Sequence, residues 1–130
     1  MKKTIAIAGA TGFIGQWFIE KYKHEYNISA LSRNKIKAPD STDVDWKQVD
    51  LYSISSTTES LKGADIAIYL VHSMMPSTRL NQGDFEDTDI LLADNFSRAA
   101  QDCNLKQIIY VGGILPKDDH TISNHLKSRY

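Results

Sequence analysis

Cysteine and long apolar runs are what this sequence of 130 residues most lacks. Cys103 is the single cysteine, so no internal disulfide can form. This is typical of a reducing compartment, and we expect a cytoplasmic protein. No run approaches the ~18–20 apolar residues of a membrane span. The basic start is followed by a short apolar run, residues 5–8, which is too brief for the core of a signal peptide.

An excess of charge of one sign is also missing. The formal net charge is -1, which excludes the basic field that nucleic acid or an anionic membrane would attract. Apolar residues make up 42% and charged residues 24%, the mix of an ordinary globular protein. The length fits one domain over residues 1–130, with no need of a structural metal. We therefore predict no metal site and no nucleic-acid or membrane partner.

Short β-branched runs alternate with amphipathic segments along the chain. We predict strands at residues 4–8, 28–31, 44–49, 66–71 and 107–111. Helices are predicted at 13–26, from Asp50 or Ser53 to Leu61, at 84–103, and from near Ser123 to Tyr130. Residues 34–41 and 72–81 are predicted to be irregular. This order predicts an α/β fold with a parallel sheet and helices on both faces. The short last helix indicates a truncated chain, with a natural C-terminus at Tyr130 as the alternative.

Only seven glycines occur, yet Gly9, Gly12 and Gly15 fall within one short stretch, GATGFIG. It follows a predicted strand and opens a predicted helix, the context in which such spacing binds a dinucleotide. One glycine allows the tight turn, a second lets the backbone approach a pyrophosphate, and a third lets the helix pack closely on the sheet. The N–H groups and dipole of the helix start then hold the phosphates. A strand–helix turn without a ligand is the alternative.

The residues after the second predicted strand choose between NAD and NADP. NAD-preferring folds place an acid about 20 residues beyond the loop, where it bonds the ribose 2′-hydroxyl. Ser32 and Arg33 occupy that position here. The planar guanidinium of arginine matches a 2′-phosphate, so we predict NADP as the cofactor, with NAD as the alternative.

Several segments together resemble the extended and atypical short-chain dehydrogenases/reductases. They are the glycine loop and residues 31–34, 50–51, 69–74, 84–85, 95–96 and 108–113. The later segments are similar to the branch described as NmrA-like or nucleoside-diphosphate-sugar epimerase-like. The resemblance implies a Rossmann-like α/β fold, a doubly wound parallel sheet of about five strands with NAD(P) on its carboxyl edge.

The resemblance also implies which residues hold the cofactor. The pyrophosphate would rest on Gly9, Thr11, Gly12, Phe13, Ile14 and Gly15. Ser32 and Arg33 would take the 2′-phosphate side, Asp50 and Leu51 the adenine, and Val71 and His72 the adenosine ribose.

The catalytic residues of that superfamily do not carry over. Its active members use a Ser after the fifth strand, and a Tyr and a Lys four residues apart. Gly112 and Gly113 stand at the Ser position, and His125 and Arg129 take the Tyr–Lys spacing. Histidine can act as a general acid or base near neutral pH, whereas arginine keeps its proton but can hold a ribose hydroxyl. His125 and Arg129 are therefore the candidate catalytic residues, and polar residues on an exposed helix turn are the alternative.

Three functions stay open on the sequence. The first is an NADPH-dependent oxidoreductase or epimerase that acts on a small carbonyl or sugar-nucleotide substrate. The second is a non-catalytic NADP(H)-sensing module, as in NmrA-like proteins, and the third is a flavin- or other nucleotide-binding domain. Relatives often pair through the long helix predicted at residues 84–103, so a homodimer is an open expectation.

Overall fold

The computed structural model describes residues 2–34, 44–71 and 82–111, and for residues 82–89 it describes the backbone alone. The strands are β1 (Thr4–Ala8), β2 (Asn27–Ser32), β3 (Val44–Gln48), β4 (Ile66–Tyr69) and β5 (Gln107–Tyr110). The helices are α1 (Phe13–Tyr22), α2 (Ile54–Leu61) and α3 (Gln82–Asp102). Strands and helices alternate except that β3 follows β2 with no described helix between them, and this is the order that the sequence pattern predicted.

The five strands form one parallel sheet in the order β3-β2-β1-β4-β5. The central strand β1 pairs with β2 on one side, Ile5 with Ile28, and with β4 on the other, Ile5 with Ile66. The chain therefore first winds outward from β1 to β3 and then starts again on the opposite side with β4. This reversal makes the sheet doubly wound. The predicted Rossmann-like α/β fold is confirmed.

Alternate residues of the strands feed two separate cores, one on each face of the sheet. Ile5 and Ile7 of β1 belong to the cluster that includes Ile19 of α1. Ala6 and Ala8 belong to the other cluster, with Leu61 of α2. Because a parallel sheet is covered on both faces, β1 reads as a continuous apolar run.

The second core is closed mainly by α3. Phe96 is 2% exposed, and its ring lies 5.0 Å from that of Tyr69 in β4, centroid to centroid. Leu92 and Ala99 lie on the same buried face of the helix, at three- and four-residue spacing from Phe96. The apolar face predicted for this helix is confirmed wherever the side chains are described; Phe85 lies outside them.

The prediction for α1 needs two corrections. The regular helix ends at Tyr22, whereas we predicted residue 26. Tyr26 still donates its N–H to Tyr22 O at 3.1 Å, but Asn27 N–H already donates to Lys3 O at 3.0 Å. The chain must leave the helix axis there to enter the sheet beside β1.

The buried face of α1 also differs from the one that three- and four-residue spacing predicts, which is formed by Phe13, Ile14, Trp17, Phe18 and Tyr22. Phe13 and Trp17 are 90% and 54% exposed, while Gly15 and Ile19 are buried. The helix packs through Gly15 because a residue without a side chain allows the closest approach to the preceding turn. Phe18 and Tyr22 flank that contact, with ring centroids 4.7 Å apart.

The observed ends of several other elements differ from the predicted ends by one or two residues. We expected β4 to end at residue 71, but it ends at Tyr69, which pairs with Ala8. Pairing stops there because β1 ends at Ala8 and turns into the glycine loop. β3 and β5 each end one residue before the predicted end, and β2 is one residue longer than predicted at each end. α3 begins two residues before its predicted start and ends one residue before its predicted end.

Of the two residues predicted to start the short helix α2, Asp50 and Ser53, the structure shows Ser53 as the cap. The Ser53 hydroxyl accepts a hydrogen bond from Ser56 N–H at 3.2 Å, so Ser53 is the N-cap. The Asp50 carboxylate accepts instead from Tyr52 N–H at 3.0 Å, within the preceding turn. Three predictions lie outside the described residues. They are the irregular stretch 72–81, the last helix, and the irregular stretch 34–41 apart from Asn34.

Candidate functional site

A cleft opens at the carboxyl edge of the sheet between the ends of β1 and β4, which are followed by helices on opposite faces of the sheet. In open α/β sheets this switch of winding direction is the place where ligands bind. The cleft is lined by the glycine loop together with one residue that follows β4 and one that follows β5. These residues are Gly9, Gly12, Phe13, Ile14, Gly15, Leu70 and Val111.

Two of the glycines are required by the fold itself. Gly9 has φ +85, a left-handed conformation that a side chain disfavours, and a Cβ there would lie 3.1 Å from Leu70 Cβ. A Cβ on Gly15 would lie 2.8 Å from Ala10 Cα, Ala10 O and Gly9 O. All three are backbone atoms, which cannot move aside. Gly9 thus makes the turn and Gly15 the close contact between helix and strand.

Gly12 differs from the other two because the fold leaves space around it. Its φ is -74, and a Cβ would meet only Gly9 O, at 3.4 Å. Gly12 is the N-cap of α1, and among the described residues no side chain caps that helix end. The first N–H groups of a helix have no partner within the helix, so this end offers donors and a positive dipole to an anion.

The loop is held in shape by two hydrogen bonds. Gly12 N–H donates to Gly9 O at 3.1 Å, and the Gln16 side-chain amide donates to Thr11 O at 2.9 Å. The described residues that line the cleft include no ionisable side chain. An anion there would be held by backbone amides and the helix end, which suits a diphosphate. The open space at Gly12 is the cradle that a Cβ would fill, so the residues present fit the pyrophosphate of a dinucleotide.

Arg33 lies on the same edge, just beyond β2. Ser32 pairs with Gln48 of β3, and its hydroxyl accepts from Asn34 N–H at 3.2 Å. Arg33 O accepts from the Gln48 side chain at 3.5 Å, which ties its backbone to the neighbouring strand. The Arg33 side chain is exposed, and its guanidinium forms no ion pair with any residue the structure describes.

Asp50 and Leu51 follow β3 and lie beside Ser32, because Val49 N–H donates to Ser32 O at 2.8 Å. Asp50 is exposed, whereas Leu51 packs against the core cluster under α3. Val71 packs against the same cluster. Leu51 and Val71 therefore pack on the same core cluster, and neither is among the described residues that line the cleft.

Three predicted site residues lie outside the described part of the chain. They are His72, predicted at the ribose, and the candidate catalytic residues His125 and Arg129. Within the described ranges, no group of three or more His, Cys, Asp or Glu side chains could hold a metal ion. None of the described helices has the length and apolarity needed to cross a membrane.

Sequence reasoning missed four residues of this region. Leu70 and Val111 line the cleft, Gln16 holds the glycine loop, and Asn95 donates to the loop after β3. Leu70 and Val111 could have been suspected, because both follow parallel strands at the carboxyl edge. Asn95 lies in one of the segments that carry the resemblance, but no role was predicted for it, and Gln16 belongs to no motif.

Comparisons with known proteins agree with this geometry. The sequence model of a family described as NAD(P)H-binding matches residues 9–128. The auxiliary protein GraX of Staphylococcus aureus is 29% identical over 114 residues, which are 87% of this chain and 37% of GraX. The chain therefore spans well under half the length of that relative.

Solved structures share the fold at lower identity. UDP-N-acetylglucosamine 4-epimerase from Bacillus cereus superposes with a TM-score of 0.75 at 21% identity, over 98% of this chain and 45% of the epimerase. A mutant uronate dehydrogenase from Agrobacterium tumefaciens, solved in complex with NAD, gives 0.70 at 17% identity, over 87% of this chain and 42% of the enzyme. The resemblance to epimerase-like and dehydrogenase-like Rossmann proteins is thereby confirmed. Since the family model covers nearly the whole sequence, including the loop at the cleft, the chain belongs to the NAD(P)H-binding family.

Proposed function

We propose that this chain is the NADP(H)-binding domain of a short-chain-dehydrogenase-like oxidoreductase or epimerase. The observation that carries the proposal is the glycine loop between the carboxyl ends of β1 and β4. Gly12 leaves room there for a ligand, while Gly9 and Gly15 are already required by the backbone. The pyrophosphate binds along Gly9–Gly15, against Thr11, Phe13 and Ile14, with the helix end of α1 as the anion site.

Arg33 supports NADP over NAD. It follows β2, where an NAD-preferring domain would carry an acid for the ribose 2′-hydroxyl. Its exposed guanidinium has no ion-pair partner among the described residues, so it is available to a 2′-phosphate. Ser32 fixes the backbone of this turn through Asn34 N–H.

We infer that four further residues bind the adenosine half of the cofactor. Asp50 and Leu51 bind the adenine, with a carboxylate oxygen of Asp50 accepting from the exocyclic amino group and Leu51 against the ring. Val71 and His72 flank the adenosine ribose. Support for this placement comes from the shared edge: Val49 N–H is bonded to Ser32 O, and Leu51 and Val71 pack on one cluster.

Arg33→Ala tests the cofactor choice directly. The loss of one charge-assisted hydrogen bond should weaken NADPH by about 1.5–3 kcal/mol, which is about 10- to 150-fold in Kd. NADH has no 2′-phosphate, so its Kd should change less than about twofold. Both constants are measured by calorimetry on the purified chain.

Arg98→Ala is the matched control, because it removes the same charge from the exposed surface of α3, where Arg98 pairs with Asp94 at 3.0 Å. It should change neither constant. Equal weakening of NADPH and NADH by Arg33→Ala would refute the assignment of the 2′-phosphate to Arg33.

A second candidate function is supported by a specific sequence feature. The Ser position is taken by Gly112 and Gly113, and His125 and Arg129 replace the Tyr–Lys pair. The relative GraX is described as an auxiliary protein. Both points favour a non-catalytic module that binds NADP(H) and transmits its redox state to a partner.

Turnover separates the two candidates. NADPH oxidation is followed at its nicotinamide absorbance against a panel of small carbonyls and sugar nucleotides. NADPH oxidation that is lost in His125→Ala, with the NADPH Kd unchanged, supports the oxidoreductase. An epimerase regenerates its cofactor in each turnover, so the conversion of a sugar nucleotide into its epimer is followed separately, and its loss in His125→Ala supports the epimerase. NADPH binding without turnover on any panel member supports the sensing module.

A further inference from the structure

The loop between β3 and α2 is held by its own side chains on one side. Asp50 N–H donates to the Ser56 hydroxyl at 3.1 Å, and Tyr52 N–H donates to the Asp50 carboxylate at 3.0 Å. Ser53 N–H donates to Asp50 O at 3.0 Å. These bonds fix the shape of the loop. They leave the carbonyl groups of Leu51 and Tyr52 to be satisfied from elsewhere in the protein.

Asn95 of α3 supplies both donors. Its side-chain amide nitrogen lies 3.1 Å from Leu51 O and 3.0 Å from Tyr52 O, across 44 and 43 residues of sequence. A primary amide carries two N–H groups on one nitrogen, so a single asparagine can serve two consecutive carbonyls. Aspartate has the same shape but no donor when ionised, and it would repel both oxygens.

The contact joins the loop to α3, which contributes Phe96 and Ala99 to the core. Asn95 is half-buried and is followed directly by Phe96, which is 2% exposed. Leu51 packs against the cluster that contains Phe96 and Ala99. The backbone position of Asp50 and Leu51 is therefore set relative to the core, although Asp50 itself is exposed.

From this geometry we propose that Asn95 is a positioning residue for adenine recognition. It acts through the loop, because its two hydrogen bonds hold Leu51 and Tyr52 where the Asp50 carboxylate can accept from the adenine amino group. This inference rests on the proposed function, since the adenine is assigned to Asp50 and Leu51 there. It adds a specificity-determining contact that lies on the helix and not on the cleft.

The test compares two dinucleotides that differ only at the base. NADPH carries the adenine amino group, and its hypoxanthine analogue carries an oxygen there. The wild-type chain should prefer NADPH by about tenfold, the value of one hydrogen bond of ordinary strength. In Asn95→Asp the loop loses its anchor, so NADPH should weaken about tenfold and the analogue less than about twofold. The preference for adenine therefore disappears.

Ser97→Ala is the control, because Ser97 is exposed on the same helix two residues further on. It should leave both Kd values unchanged. If Asn95→Asp does not fold, Asn95→Ala carries the same test, since alanine removes the donors without adding charge and favours the helix.

Other outcomes of these Kd measurements would overturn the inference about Asn95. Equal weakening of both dinucleotides means that Asn95 only supports the structure, and it overturns the inference while leaving the proposed function intact. A wild-type chain that binds both dinucleotides equally also overturns it, because there is then no adenine contact to position. A wild-type chain that binds neither overturns the proposed function and this inference together.

Discussion

At the scale of the residue, three glycines of one motif have three different physical roles. Gly9 is needed because its φ is positive. Gly15 is needed because a Cβ there would lie only 2.8 Å from backbone atoms. Gly12 has an ordinary φ and open surroundings, so nothing in the folded chain requires glycine there. We therefore propose that its role is to allow the approach of a ligand. The motif thus contains a residue at which stability and binding can be separated.

Gly12→Ala should bind poorly but fold well. The loss of stability should be about 1 kcal/mol at most, because alanine is a worse N-cap than glycine. The new methyl group lies where the diphosphate must approach, and such overpacking costs about 1–3 kcal/mol, so NADPH should weaken by about tenfold or more. Urea unfolding and calorimetry on the same sample give both quantities.

Gly15→Ala is the matched variant, and its effect should fall on stability. Its Cβ meets the backbone of Gly9 and Ala10, so we expect a loss of about 1–3 kcal/mol or more in the free energy of unfolding. If Gly12→Ala instead bound NADPH as the wild type does, the loop would not be the pyrophosphate site.

At the scale of the element, α3 anchors two separate parts of the chain through side-chain donors. Asn95 holds the loop after β3. About two turns further on, directly after the end of α3, the Cys103 thiol donates to Thr58 O of α2 at 3.3 Å. Burial raises the pKa of the Cys103 thiol, and the nearby Lys62 ammonium only partly opposes that effect. A thiolate would also lose the hydrogen bond to Thr58 O, since it has no proton to donate. The hydrogen bond from Cys103 to α2 therefore depends on a neutral thiol.

The direction of the pH effect follows from this shift. A thiol whose pKa is raised by folding stabilises the native state fully below its unfolded pKa of about 8.5, and that stabilisation is lost as the pH rises through the higher folded value. The urea midpoint of the wild type should thus fall relative to that of Cys103→Ala between about pH 7 and about pH 10. A difference between the two midpoints that stays constant over this range would contradict the prediction.

At the scale of the whole molecule, the sheet is one body with a core on each face. The cluster around Ile7 and Ile19 and the cluster around Leu61 and Phe96 share the same strands. The cleft lies where these strands end, so a ligand bound there contacts the ends of several elements at once. Binding should therefore be coupled to global unfolding and not only to local order in the loop.

NADPH should accordingly raise the melting temperature of the whole chain. A ligand at about 100 times its Kd that binds only the native state adds about 2.7 kcal/mol. For a chain of this size that corresponds to a rise in Tm of roughly 8–13 °C. Far-UV circular dichroism follows the transition with and without NADPH. Gly12→Ala at the same NADPH concentration should show a much smaller rise, and an unchanged wild-type Tm at millimolar NADPH would count against dinucleotide binding.

The fold was largely predictable, because its signals are local. Alternating strands and helices, the continuous apolar run of β1 and the strand–loop–helix context of Gly9, Gly12 and Gly15 can each be read within a few residues. The ends of elements were less predictable: β4 stops at Tyr69 because its neighbour β1 stops at Ala8, and that is a property of the pair. The roles assigned to the cofactor-binding and catalytic residues stay predictions.

The sequence by itself determined that this chain forms a parallel α/β sheet with a glycine loop at a helix start, because backbone conformation and apolar periodicity act over short distances along the chain. Only the tertiary structure decided that α1 packs through Gly15 and Ile19, that Leu70 and Val111 close the cleft, and that Asn95 holds a loop 43 residues away. These contacts depend on which strands become neighbours in space. Neighbours in space are set by the packing of the whole sheet, and no short stretch of sequence contains that information.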